Sequence, residues 1–280
     1  MIDLHVHSNI SDGTLTPSQV IDLAVVQNLK AIALTDHDTV GGIEEAKNRA
    51  EYYQKNHVDF TFIPGVELSV GYKKRDIHIL GLYIDSSNQD FLALLNQMVE
   101  EREERNRKMV QNFQNDGIHI TLAELKEESK DAVITRAHFA KLLVRKHYAL
   151  STKDAFTKYL NEDGKYYVNR KFITPEEAID AILQASGIPV LAHPMLYHLP
   201  EEELVKLVER LKNHGLQGIE TIYSTYSKEE EETVRKLACK YNLLITGGSD
   251  FHGEVKPDIS IGTGRGNLFI PDELLVQLKR

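Results

Sequence analysis

His5 and His7 stand two residues apart at the end of a short apolar run, and Asp12 follows five residues later. On a strand, positions i and i+2 share a face, so both rings can present a nitrogen to one cation. Imidazole suits zinc, manganese and iron, and a carboxylate suits the harder members of that group. Taken alone, His-x-His also describes two polar residues on the wet face of a strand. Five further clusters change the weighing: Thr35-Asp36-His37-Asp38, Gly65-Val66-Glu67, His78, Ala192-His193-Pro194 and Ser249-Asp250-Phe251-His252. Each lies at or just after the end of an apolar, β-branched stretch, over 31–35, 60–66, 77–84, 189–192 and 243–246. Parallel strands that alternate with helices bring their C-terminal ends to one face, so this spacing predicts one shared metal site there.

The elements that must position these residues are legible around them. Residues 1–84 read β-α-β-α-β-β, with Thr16 capping a helix that has Pro17 at its first position and a second helix near 42–54. From 85 to 174 the pattern turns helical. Phe91, Leu94, Leu95 and Met98 lead into Glu100 to Lys108, a polar helix with i,i+4 charge pairing, and shorter helices are expected at 122–128, 136–146 and 153–160. Tyr166-Tyr167-Val168 carries the next strand signal. At Thr174-Pro175-Glu176-Glu177 a capped helix restarts the β/α alternation, with strands at 189–192, 218–222 and 243–246 and helices at 201–213 and 228–241. The chain therefore reads as one α/β barrel domain, 1–84 with 175–280, interrupted by a helical insertion over 85–174. Because the insertion departs from the C-terminal end of a strand, it is expected over the ligand face as a substrate-binding lid.

With 280 residues, 41% of them hydrophobic, a sizeable core is available. No run of about 18 apolar residues occurs and no leader-like segment is read, which points away from membranes and toward the cytoplasm. The single cysteine, Cys239, is expected as a small buried residue and not a nucleophile. A net charge of −9 disfavours duplex DNA as partner. Residues 85–174 hold 15 Lys plus Arg against 14 Asp plus Glu, so this +1 segment is the less repulsive surface for an anionic substrate.

Together the clusters resemble the polymerase and histidinol phosphatase (PHP) superfamily, whose motifs D-x-H-x-H-S-x-x-S-D-G, T-D-H-D, G-x-E, H, A-H-P and S-D-x-H all occur here in order. The wording around Glu67 and His78, the chain length and the helical segment with Arg136-Ala137-His138-Phe139-Ala140 look like the branch of stand-alone 3′,5′-nucleoside bisphosphate phosphatases and short-RNA 5′ exonucleases. The resemblance implies a distorted seven-stranded (β/α) barrel and two to three divalent metal ions. One ion would take His5, His7, Glu67 and Asp250, a second Glu67, His78 and His193, a third Asp12, His37 and His252. Glu67 can bridge because a carboxylate has two oxygens. Such ions make water nucleophilic near neutral pH and neutralise phosphate oxygens. Asp12 stands where some members carry His, which tilts the expectation to manganese, with iron or zinc as alternatives.

Glu67, Asp250, His193 and His37 are accordingly the expected catalytic residues. Asp36 and Asp38 are candidates to orient ligand imidazoles, and Asp38 equally to cap the following turn. Arg136 and His138, at a helix start, could hold a phosphate. Lys165, Tyr166, Tyr167 and Arg170 form a basic and aromatic cluster for a base or phosphate, though the tyrosines suit core packing as well. Arg265, between Gly264 and Gly266, could approach from a loop, but no helix start follows to make a phosphate loop. His57, His119, His147, His198 and His214 lack ligand spacing and belong to the surface. The leading expectation is removal of the 3′-phosphate from a 3′,5′-bisphosphorylated nucleoside, giving the nucleoside 5′-monophosphate with little demand on the base. Trimming of short RNA in the 5′-to-3′ direction, hydrolysis of a small metabolite such as histidinol phosphate, and a metal-stabilised binding module without catalysis are the alternatives.

Overall fold

A computed structural model describes residues 1–73, 75–129, 132–161, 164–168 and 173–278. Seven strands follow one another in sheet order: β1 (Ile2–Val6), β2 (Ala31–Leu34), β3 (Thr61–Tyr72), β4 (Arg75–Leu82), β5 (Ile188–Leu191), β6 (Gly218–Tyr223) and β7 (Leu244–Gly248). β1, β2 and β3 pair in parallel, as do β5, β6 and β7. β4 runs antiparallel to both its neighbours, because the short connection from β3 permits only a hairpin. The barrel nearly closes where the end of β1 meets the residues after β7: Asp250 N–H donates to His5 O (2.9 Å) and His7 N–H to Phe251 O (3.0 Å). Tyr166-Tyr167-Val168, expected as a strand, forms a turn and coil.

Helices α1 (Pro17–Val26) and α2 (Ile43–Lys55) cover β1 to β3. Thr16 caps α1 in a full capping box with Gln19. On the other flank, α7 (Pro175–Gln184), α8 (Glu201–Asn213) and α9 (Lys228–Lys240) pack Ile179, Ile182, Leu207, Leu211 and Val234 against β3 to β6. A final short helix, α10 (Leu274–Leu278), closes the end opposite the ligands with Leu274, Leu275 and Leu278 among Ile2, Leu4 and Ile270. Cys239 is exposed, against expectation, since α9 buries Val234, Leu237 and Ala238 and turns Cys239 to solvent.

Between β4 and α7 lie α3 (Gln89–Asn115), α4 (Leu122–Ser129), α5 (Arg136–Arg145), α6 (Thr152–Ala155) and a π-turn at Phe156–Leu160. They share their own apolar cluster, centred on Phe113, Ile120, Leu125, Phe139, Leu143 and Leu160. The route into this segment differs from expectation. An antiparallel β4 ends at the face opposite the ligands, where Asp85 N–H donates to Ala185 O (2.7 Å). At 27 residues, α3 spans about 40 Å and climbs the barrel wall back to the ligand face. Its buried stripe runs Phe91, Leu95, Met98, Arg102, Arg105, Met109, Phe113, and the two arginines fall where the helix passes that face.

Candidate metal centre

Strand β1 carries a bulge: its residues from Asp3 to Val6 span one more position than their partners Ile32 to Leu34 on β2. Ile2 and Leu4 pack in one apolar cluster and Val6 in another, so the bulge resets the alternation and sends His5 and His7 together into the top of the barrel. Their Nε2 atoms lie 3.1 Å apart. Glu67, 1% exposed in β3, is the hub. Its Oε2 stands 3.2 Å from each of His5 Nε2, His7 Nε2 and His37 Nδ1. Its Oε1 stands 2.7 Å from His78 Nδ1 and 3.0 Å from His193 Nε2. Asp250 Oδ1 lies 3.4 Å from His7 Nε2 and 3.7 Å from His5 Nε2, and Asp12 Oδ1 lies 3.1 Å from His252 Nε2.

All nine expected ligand side chains therefore meet in one place. His78 arrives from inside the antiparallel β4, paired with Ser69, and not from a strand end. Three groups have ligand atoms close enough to share an ion: His5, His7 and Glu67; His37, Glu67 and His78; and His7, Asp12, His37 and His252. This grouping overlaps the division the motifs imply, with His7, His37 and Glu67 each belonging to two of the groups.

The donor set fits divalent cations. Imidazole nitrogens approach to 3.1 Å (His5 and His7) and 3.4 Å (His78 and His193), close enough to share an ion, and His37 Nδ1, 3.2 Å from Glu67 Oε2, is buried without making a hydrogen bond. Burial opposes charge on His5, His7 and His78, yet the carboxylates beside them raise all three, His7 to about 9. Burial instead holds His37 down to about 3 and lowers His252. Burial also resists ionisation of Glu67, Asp12 and Asp250, but His78 beside the first, His252 beside the second and Lys256 beside the third keep each well below the usual carboxylate range.

Around the ligands lies a layer of side chains that hold them. Glu220, fully buried, takes His5 Nδ1 (3.1 Å) and the His193 N–H (2.8 Å), leaving the other nitrogen of His5 for the centre. Tyr223 Oη donates to Asp250 Oδ2 (2.6 Å), and Lys256 Nζ lies 2.5 Å from the same oxygen. Burial pushes the Asp3 carboxyl up to about 6 against the hydrogen bonds it accepts from Ser249 and Gly262, which tie β1 to the chain after β7. Asp36 does not touch an imidazole: it accepts from Ser8 N–H (2.8 Å), Ser8 Oγ (2.6 Å) and Ser11 Oγ (2.7 Å) and so fixes the loop carrying Asp12. Asp38 accepts from Ser69 N–H (2.8 Å) and pairs with Arg102. His193 and Asp250 have φ of 24° and 56°, values a side chain adopts at a cost that the packed surroundings must cover.

A cavity of about 280 Å³ opens over the centre, lined by Asp12, His37, His78 and His252 together with Arg102, Arg105 and Arg136. Arg136 lies 3.7 Å from Asp76 Oδ2, with its guanidinium over the Tyr167 ring. The other expected substrate contacts fall elsewhere. His138 Nδ1 accepts the Thr135 N–H (3.0 Å), closing the capping box of α5, and its ring borders a neighbouring groove; burial lowers it to about 4. Lys165 pairs with Asp116 at 2.5 Å, and Tyr166 stacks on Phe113 with ring centroids 4.4 Å apart, so the packing reading holds for that tyrosine. Arg265 pairs with Asp258 (2.6 Å) on an exposed loop, and Arg170 lies outside the described residues. His57, His119, His147, His198 and His214 are exposed.

Glu220, Lys256, Arg102 and Arg105 are the residues that sequence reasoning passed over. A charge inside the apolar stretch 218–222 was the signal for Glu220. Extending the spacing of Phe91, Leu95 and Met98 reaches Arg102 and Arg105, cations in a stripe that ought to be apolar.

Residues 3–213 match the model of the PHP domain family. The chain belongs to the PHP family. It is 34% identical over 250 residues to the 5′-3′ exoribonuclease Rnm of Escherichia coli K12, spanning 89% of this chain and 84% of the relative. It is likewise 34% identical over 252 residues to a 3′,5′-nucleoside bisphosphate phosphatase of Chromobacterium violaceum, spanning 90% and 87%. A solved structure of a putative metal-dependent phosphoesterase from Bifidobacterium adolescentis superposes with a TM-score of 0.85 at 28% identity, covering 99% of this chain and 94% of that one. As a PHP protein, the chain is a metal-dependent phosphoric ester hydrolase, and its buried imidazole and carboxylate cluster is where such a metal centre would sit.

Proposed function

We propose that this PHP enzyme removes the 3′-phosphate of a 3′,5′-bisphosphorylated nucleoside and leaves the nucleoside 5′-monophosphate. The observation that carries the reading is the cavity itself, whose lining joins three guanidinium side chains to a centre built for cations. Two anionic groups of one substrate can be held there, one at the centre and one at the arginines. His5, His7, Asp12, His37, Glu67, His78, His193, Asp250 and His252 would hold two to three divalent ions, manganese preferred by the carboxylate share of the donor set, with iron or zinc as alternatives. When bound, such ions neutralise phosphate oxygens and bring water toward deprotonation near pH 7.

The chain's own residues do the rest. Glu220 and Tyr223 keep His5 and Asp250 aimed inward, so the ligand geometry is set before substrate arrives. Lys256, which burial would discharge, keeps its proton through Asp250 and adds a fixed positive charge on the cavity wall. Arg136, Arg102 and Arg105 grip the phosphate that is not attacked and so align the other. Residues 85–174 then serve as the substrate-binding lid, and the whole enzyme works in the cytoplasm, apart from membranes and duplex DNA.

A comparison of kcat/KM for 3′,5′-bisphosphoadenosine, 5′-AMP, 3′-AMP, short 5′-phosphorylated RNA and histidinol phosphate tests this. The bisphosphate should lead by at least about tenfold, since two charge-assisted contacts replace one. Arg136→Ala should raise KM for the bisphosphate while leaving a small phosphomonoester nearly unaffected. A monophosphate turned over faster than the bisphosphate would sink the second anchor. Short RNA in the lead would move the assignment to the exonuclease reading, which the similarity to Rnm favours.

A further inference from the structure

Phe156 stands out against its surroundings in the helical segment. Its neighbours Ala155 and Leu160 are fully buried in the local apolar cluster, yet Phe156 is 37% exposed and borders the cavity. The helix widens into a π-turn at Phe156, and such turns redirect side chains that a regular α-helix would have packed inward. Among the described residues it is the one phenyl or phenol ring lining the cavity, whose other rings are the imidazoles of the metal centre. Ala137, Ala140 and Val255 lie on the same lining and provide small or apolar surface beside it. A half-exposed phenyl ring costs free energy in water and gains it under a flat, apolar partner.

We propose that Phe156 is the stacking platform for the nucleobase, a base subsite in the same cavity as the metal centre and the arginines. This rests on the nucleotide reading above and adds the part of the substrate which that reading leaves unassigned. Stacking engages the π-face that every base has, so the subsite accepts purines and pyrimidines with a preference for the larger ring systems. Recognition by shape and not by hydrogen bonds makes the enzyme selective for nucleotides over sugar phosphates without selecting one base.

Two measurements test it. In the kinetic one, Phe156→Ala should raise KM for 3′,5′-bisphosphoadenosine about 5- to 100-fold with kcat little changed, and leave KM for the abasic deoxyribose 3,5-bisphosphate where it was. Phe156→Leu, which keeps the apolar volume, should resemble Phe156→Ala, whereas Phe156→Tyr should resemble the native enzyme. Equal losses on the two substrates, or no loss on the nucleotide, would overturn the subsite. The second measurement needs no turnover. The chain contains no tryptophan, so Phe156→Trp introduces its sole indole. Saturable fluorescence quenching by AMP, GMP, CMP and UMP, absent with ribose 5-phosphate, is the expected result. An indole that answers nucleotides in a protein unable to hydrolyse bisphosphates would uphold the base subsite and discard the proposed reaction. Bisphosphate turnover with an indole blind to nucleotides would uphold the reaction and discard the subsite.

Discussion

Glu67 gathers five imidazoles around two oxygens, so the removal of one charge there acts on several ligand groups at once. Glu67→Gln keeps the shape but replaces one oxygen by an N–H donor that repels a cation and the nearby protonated rings. We expect kcat/KM to fall by more than about 100-fold and bound metal, measured by elemental analysis, to drop by at least one ion per chain. Near-native turnover with full metal content would show that Glu67 is not shared between ions. The residues of this centre were legible in the sequence because their chemistry belongs to their side-chain type and their position follows from strand ends. Lys165 and Arg265 were misplaced for the opposite reason. A cation near a motif looks available until the fold supplies its acid, and here Asp116 and Asp258 do so. His138 was misplaced because a ring at the third position of a helix can turn back and cap it, as this one does on Thr135.

At the scale of elements, α3 joins packing to the site. The order of strands and helices was readable from periodicity, but the direction of β4 was not, because alternation predicts burial and says nothing of which way a neighbouring strand runs. That reversal is why a 27-residue helix is needed to return to the ligand face, and why its stripe changes from Phe91, Leu95 and Met98 to Arg102 and Arg105. Arg102 is 6% exposed and pairs with the fully buried Asp38. Arg102→Met preserves the stem but strands a buried carboxylate, and should destabilise the protein by about 3 kcal/mol in chemical denaturation. The double variant Asp38→Asn with Arg102→Met removes both charges; Asn also tolerates the φ of 53° at position 38. It should recover most of that stability while the raised KM for a bisphosphate persists. If stability stays as low as in the single variant, the pair is not what holds α3 on the barrel.

For the whole molecule, the metal centre makes stability and metal affinity depend on pH in linked ways. The chain has a formal charge of −9, and its centre pulls His5, His7 and His78 upward, His7 to about 9, so that without metal His7 holds a proton at neutral pH. A folded pKa raised above the unfolded value of about 6.5 stabilises the metal-free fold fully below that pH, and the gain is lost as pH rises through about 9, the value for His7. The depressed carboxyls of Glu67, Asp12 and Asp250 act oppositely: their contribution is present above about pH 4 and fades as acid titrates them. Metal ligation requires neutral imidazole, so binding must expel the protons that the metal-free centre holds. Calorimetric titration of chelator-treated protein with Mn²⁺ at pH 7, in two buffers of different ionisation enthalpy, should therefore register a net release of protons, that of His7 among them. Apparent affinity should climb between pH 6 and pH 9, and saturation at about 1,000 times the dissociation constant should add about 4 kcal/mol to unfolding stability. A buffer-independent heat at pH 7 would mean that the rings are already neutral before the ions arrive, and that the carboxylates, not the metals, have been given too large a part in holding the centre together.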